Sequence, residues 1–212
     1  MTDQLLFPGM SAAPLTDGLF LALFPDAATA ARIADLTRQL RDKYALTGRP
    51  HAAERLHVSL HGIGEYASFP NEVASRVIEA AAAIAMRPFD IGFDRVMSFS
   101  GKPGQLPFVL RGEAVAELIA FQKILGAAMQ KAGLGRAKAH YAPHMTLLYD
   151  TRRIDEQPIE TIRWTAREFV LVHSLLGQKR YIPLASGRCA ADLMRNRNLK
   201  RFWDGRGPLL QP

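Results

Sequence analysis

The chain has a single cysteine, Cys189, among its 212 residues. That excludes an internal disulfide framework and makes a reducing cytoplasm the expected compartment. No apolar run approaches the roughly 18 residues that a membrane-crossing helix needs, so no membrane partner is expected. Residues 1–14 lack the basic start of a secretory signal. Acidic residues are in deficit. Lys and Arg number 27 against 20 Asp and Glu, a net charge of +7 with a pI near 9.9. Such an excess of cations suits a polyanionic partner, nucleic acid first.

What is present is ordinary for a globular chain: 48% hydrophobic and 22% charged residues. The length suits one generous domain or two small lobes, and a monomer is expected. Charge is uneven. From Gly187 onward Arg188, Arg195, Arg197, Lys200, Arg201 and Arg206 face only Asp192 and Asp204, so residues 187–212 read as a basic tail. Residues 1–16, with Pro8, Gly9 and Pro14, read as an irregular arm.

Between these ends the pattern alternates strand and helix. Residues 19–24 are a short apolar strand stopped by Pro25, and Asp26 can cap the next helix. Ile33, Leu36, Leu40 and Tyr44 share one face of that helix, which stops near Gly48 and Pro50. Residues 56–63 read as a strand with His57, Ser59 and His61 on one face and Val58 and Leu60 on the other. A helix follows Pro70 to about residue 86, then an alternating strand at 89–99. A strand at 108–111 precedes a helix over 113–132 closed by Gly133. A polar loop with Arg136, Lys138 and His140 leads to Pro143 and another strand. Residues 165–176 and 180–184 form a strand pair across Gly177-Gln178-Lys179.

Two stretches carry the chemistry. His57-Val58-Ser59-Leu60 and His144-Met145-Thr146-Leu147 both read His, apolar, hydroxyl, apolar. Phe20 precedes His57 by 37 residues and Phe108 precedes His144 by 36. That recurrence points to an internal duplication, roughly 18–99 and 105–184, within one bilobal domain. On a strand the His and the hydroxyl of each motif share a face. Two such strands across a cleft suit phosphodiester chemistry. A neutral imidazole takes a proton from water and a protonated one gives a proton to the leaving alkoxide. The hydroxyls donate to phosphate oxygens as charge builds there. A metal site is the competing reading, since His57 and His61, and His140 and His144, are four apart. Val58 and Pro143 disfavour the helices that spacing requires, and nearby carboxylates are only Glu54, Glu65 and Asp150.

At these residues the chain resembles the 2H phosphoesterases, specifically the bacterial RNA 2′,3′-cyclic phosphodiesterases, the LigT-like or 2′-5′ RNA ligase family. Beyond the two motifs, Leu19-Phe20-Leu21-Ala22-Leu23 is similar to that family's opening strand. LHVSLHGIGE and PHMTLL resemble its two motifs, and Glu168-Phe169-Val170-Leu171 with GQKRYIPL its closing hairpin. The resemblance spans about residues 18–185. It implies an α+β fold of two pseudo-symmetric lobes of antiparallel sheet, with outer helices around a central cleft. It further implies His57 as acid and His144 as base, Ser59 and Thr146 holding the phosphate, and no cofactor or metal. The reaction implied is hydrolysis of a 2′,3′-cyclic phosphate, on RNA or a nucleotide, to a 2′-phosphate.

Phe20 is a candidate for stacking on the substrate base, with core packing as its alternative. Where the family often carries an Arg three residues after the second motif's Thr, this chain has Tyr149. Tyr149 can donate a hydrogen bond, and Arg180, Arg152 or Lys179 can supply the cation. His61 reads as an outward, solvated side chain. Two rival functions fit the same residues: an RNA- or nucleotide-binding module with little catalysis, and joining or cleaving of 2′-5′ linkages.

Overall fold

The computed structural model describes residues 13–113, 115–135 and 140–188. Most of the expected arm at 1–16, nearly all of the basic tail at 187–212, and Arg136 and Lys138 lie outside the described residues.

β1 (Asp17–Leu23) is buried on both faces, as its nearly continuous apolar run requires of an interior strand. Asp26 Oδ1 accepts the Thr29 N–H at 2.9 Å and caps α1 (Ala27–Lys43), which buries Ala30, Ile33, Thr37 and Leu40 along one stripe. β2 (Val58–Tyr66) carries the first His motif. α2 (Asn71–Ala82) stops short of the expected residue 86. Pro88 disfavours helical geometry at Arg87, and Ile84 and Met86 reach the core from the non-helical chain. β3 (Phe89–Ser98) and β4 (Leu106–Arg111) follow.

α3 (Ala116–Lys131) ends at Gly133, whose φ of +68° suits a residue without a side chain. The Gly133 N–H donates to Gln130 O and the Leu134 N–H to Met129 O, both at 2.8 Å, which closes the helix as a Schellman motif. β5 (Met145–Asp150), β6 (Gln157–Ala166), β7 (Glu168–Leu175) and β8 (Arg180–Arg188) complete the chain. The strand expected at 165–176 is in fact the end of β6 and all of β7, broken at Arg167. β6 is an edge strand with Pro158 and a charged outer face, so its inward Ile162, Trp164 and Ala166 were a faint signal.

The expected α+β class with antiparallel sheet holds. The strands form one continuous antiparallel sheet in the order β6-β3-β4-β5-β2-β1-β7-β8. Its two four-stranded halves meet between β2 and β5 at one register pair, Val58 with Met145. Strand assignment crosses the sequence midpoint: β3 pairs with β4 and β6, while β7 and β8 join β1. α3 packs on β2 and β3, α2 on α3 and β8, and α1 against β6. These helices cover a core of residues such as Leu21, Leu60, Phe93 and Phe108. His173 Nε2 donates to Asp17 Oδ1 at 2.5 Å and ties β7 to β1 inside this core. Among the described residues no helix is long and apolar enough to cross a membrane.

Candidate active site at the sheet seam

Val58 and Met145 are both fully buried on the core side. Alternation sends their neighbours to the opposite face, so His57, Ser59, His144 and Thr146 all lie there. Continuing the antiparallel register by one residue sets His57 across from Thr146 and Ser59 across from His144.

Each motif ends in a bulge at the same position. Ala22 pairs with Ser59 and Leu21 with His61, which leaves Leu60 unpaired. Val109 pairs with Thr146 and Phe108 with Leu148, which leaves Leu147 unpaired. By register, then, Ala22 corresponds to Val109, and the counterpart of Phe20 is Pro107, not Phe108. Phe108 faces the core, fully buried, whereas Phe20 is half-buried on the cleft face.

The bulge also corrects His61. Alternation alone put it beside His57 in solvent. Skipping Leu60 turns it to the core, where it is 2% exposed and its Nε2 donates to Leu134 O at 3.0 Å. The four-residue spacing of His57 and His61 thus does not bring the two rings together. Among the described residues no group of three or more His, Cys, Asp or Glu side chains converges as metal ligands do.

The two imidazoles are held alike. His57 Nδ1 lies 2.7 Å from Arg55 O, and His144 Nδ1 lies 2.7 Å from Ala142 O. A carbonyl only accepts, so both Nδ1 atoms carry a proton, and in the neutral form of either ring the lone pair lies on Nε2. The Ser59 hydroxyl donates to His57 Nε2 at 3.1 Å. Rings surround His57: Phe20 at 5.1 Å, Tyr181 at 5.5 Å and Phe24 at 5.8 Å between centroids. Burial among them lowers the His57 pKa, and the charges of Arg55 and His144 lower it further, against the Arg55 carbonyl, which raises it. His57 is therefore neutral near pH 7. Phe99 lies 4.9 Å from His144.

Arg55 was not singled out from the sequence, although it sits two residues before His57. Its guanidinium lies 4.6 Å over the Tyr181 ring, and Nη2 donates to the Tyr181 hydroxyl at 3.2 Å. Its Nε is buried and has no partner among the described residues. Tyr181 follows Arg180, and it is Tyr181 that reaches His57; Arg180 is exposed and lines an adjoining cavity. Tyr149 is 49% exposed, and burial of its remainder raises its pKa, so it stays a phenol able to donate. Arg152 is engaged elsewhere, donating to Tyr44 O at 2.7 Å.

The model for the 2′-5′ RNA ligase superfamily matches residues 24–177, most of the chain and both motifs. The chain belongs to the 2′-5′ RNA ligase superfamily. This is the superfamily of the 2H phosphoesterases. Solved structures agree in fold. Apo LigT of E. coli matches with a TM-score of 0.67 at 23% identity, over 83% of this chain and 99% of that one. E. coli LigT complexed with 3′-AMP matches at 0.66 and 22% identity, over 82% and 99%. TT0787 of Thermus thermophilus matches at 0.63 and 20%, over 81% and 97%. No curated protein matches the chain in sequence.

Proposed function

We propose that the chain hydrolyses 2′,3′-cyclic phosphates, at RNA ends or on nucleotides, to 2′-phosphates without a metal. The observation that carries this reading is the seam itself. One register pair brings two imidazoles to one face, each with Nδ1–H tied to a carbonyl two residues back. Binding alone has no need of two rings fixed in the same tautomer.

Water attacks the phosphorus while one Nε2 takes its proton. The bond from phosphorus to the 3′-oxygen breaks, and the other imidazole, protonated, gives its proton to that oxygen. The 2′-oxygen keeps the phosphate. Ser59 and Thr146 donate to the non-bridging oxygens, the Ser59 hydroxyl turning from His57 Nε2 to do so. Arg55, beside His57 and with an unpartnered Nε, supplies the nearby cation that Tyr149 does not. The neutral state of His57 suits a base; an arriving phosphate anion favours its protonation and so its use as acid. E. coli LigT, similar in fold, has been solved with 3′-AMP and with phosphate, ligands of the size and charge this site would take.

The test is ³¹P NMR of adenosine 2′,3′-cyclic phosphate incubated with the protein in EDTA. A single 2′-monophosphate product is expected. Binding without turnover would instead support a binding module, and a 3′-phosphate would reverse the leaving group. With an RNA 5′-hydroxyl present, a 2′-5′ linkage in the product would reveal the reverse reaction of the same site.

A further inference from the structure

Two cavities adjoin and share Glu54, Arg55 and Lys179 in their linings. One of about 460 Å³ is walled by Phe24, Val170, Val172, Tyr181 and Pro183, with the charged Glu54, Arg55, Lys179 and Arg180 also lining it. Most of its exposed wall is apolar and two of its side chains are aromatic, which suits a base. The other, of about 740 Å³, is lined by Arg49, His51, Glu54, Arg55, Tyr149 and Lys179. Its permanent charges are three cations against one carboxylate. No ion pair to another side chain neutralises Arg49 or Lys179 among the described residues.

The loop that carries Arg49 and His51 is held in position. Asp150 Oδ2, at the end of β5, accepts the N–H groups of Thr47 and Gly48 at 2.7 Å each. The His51 N–H donates to Leu147 O at 2.8 Å, one residue beyond Thr146. A methyl group on Gly48 would fall 2.0 Å from Tyr149 O, so the loop lies directly on β5. His51 itself adds no charge: burial, then the cations around it, push its pKa down to about 4. Its ring meets Tyr149 edge-on at 5.8 Å. The reaction proposed at the seam uses one phosphate and takes its cation from Arg55, which leaves Arg49 and Lys179 available to a second.

We propose that this basic cavity binds a second phosphate, on the 5′ side of the nucleoside that carries the cyclic phosphate. The base enters the apolar cavity and the second phosphate meets Arg49 and Lys179. The chain therefore prefers an oligoribonucleotide end, or a 5′-phosphorylated nucleotide, to a bare nucleoside cyclic phosphate. This rests on the cyclic phosphodiesterase reading.

The experiment compares three substrates: adenosine 2′,3′-cyclic phosphate, its 5′-phosphorylated form, and a diadenylate ending in a 2′,3′-cyclic phosphate. The wild type should favour a substrate with a second phosphate by about tenfold in kcat/KM, the worth of one partly exposed charge-assisted contact. Arg49→Gln should lose that preference while turning over the bare cyclic nucleotide as before, and Lys179→Gln should reduce the preference too. A gain for the diadenylate alone identifies an internucleotide phosphate; a gain for both identifies a terminal one as well. Equal rates on all three substrates, or an equal loss on all three in Arg49→Gln, would overturn the inference. Binding of adenosine 2′-phosphate against adenosine 2′,5′-bisphosphate, by calorimetry, separates the two claims. If no substrate turns over but the bisphosphate binds tighter in an Arg49-dependent way, the hydrolase reading fails and the second-phosphate site stands. Equal binding of both probes removes the site.

Discussion

Val58 pairs with Met145, and this one contact joins the two halves of the sheet. Its consequence is chemical. Because both side chains are buried, their neighbours His57, Ser59, His144 and Thr146 must share the other face. The matching bulges at Leu60 and Leu147 then end the strict alternation at the last residue of each motif.

The hydroxyls are the first consequence to test. Ser59→Ala and Thr146→Val each remove one donor to the phosphate oxygens and keep the strand. Each should lower kcat by about 10²–10³, the usual cost of one such donor. Unchanged kcat in both, with unchanged circular dichroism, would assign the hydroxyls to structure alone.

The pH profile of kcat/KM reports ionisations of the free enzyme. Burial holds His57 below its ordinary value of 6.5, with Arg55 and His144 acting in the same direction. Activity should therefore persist as pH falls to 6.5 and fade only below it, as the imidazole pair takes up a second proton. Arg55→Gln removes one cation beside His57, so the acid limb should move to higher pH. A wild-type limb above 6.5, or a limb that moves down in Arg55→Gln, would contradict the electrostatic account.

His61→Ala should act on stability rather than on turnover. It leaves the buried Leu134 carbonyl without its donor. The loss expected in urea unfolding is about 1–3 kcal/mol, with kcat unchanged at temperatures where the variant is folded. Full stability with lost activity would restore His61 to the site.

Hydrolysis should survive EDTA, because two imidazoles and two hydroxyls handle the protons and the charge. Loss of activity in chelator with rescue by zinc would favour the metal reading.

Much of this was legible in the sequence, for reasons visible in particular residues. Asp26, Pro25 and Gly133 act locally, so their cap and stop roles were readable without tertiary context. Strand parity was enough to group His57 with Ser59 and His144 with Thr146. Parity failed where the backbone inserts a residue: a bulge leaves no sequence mark, so His61 was assigned to the wrong face and Phe20 was matched to Phe108 instead of Pro107. Long-range partners were equally hidden. Tyr181 comes to His57 from the far end of the chain because β7 and β8 join β1, and Arg55 is fixed by its stack on that ring. The Asp150 contacts that anchor residues 47–48 span about a hundred positions and leave no local pattern.

The central claim is that His57 and His144 act as one acid–base pair. The most direct test is kcat for adenosine 2′,3′-cyclic phosphate in His57→Ala, His144→Ala and the double variant, each checked for folding. Each single variant should lose about 10²–10⁴ in rate, and the double should fall little further, as for groups that act as a unit. Wild-type rates in both folded single variants would contradict the account.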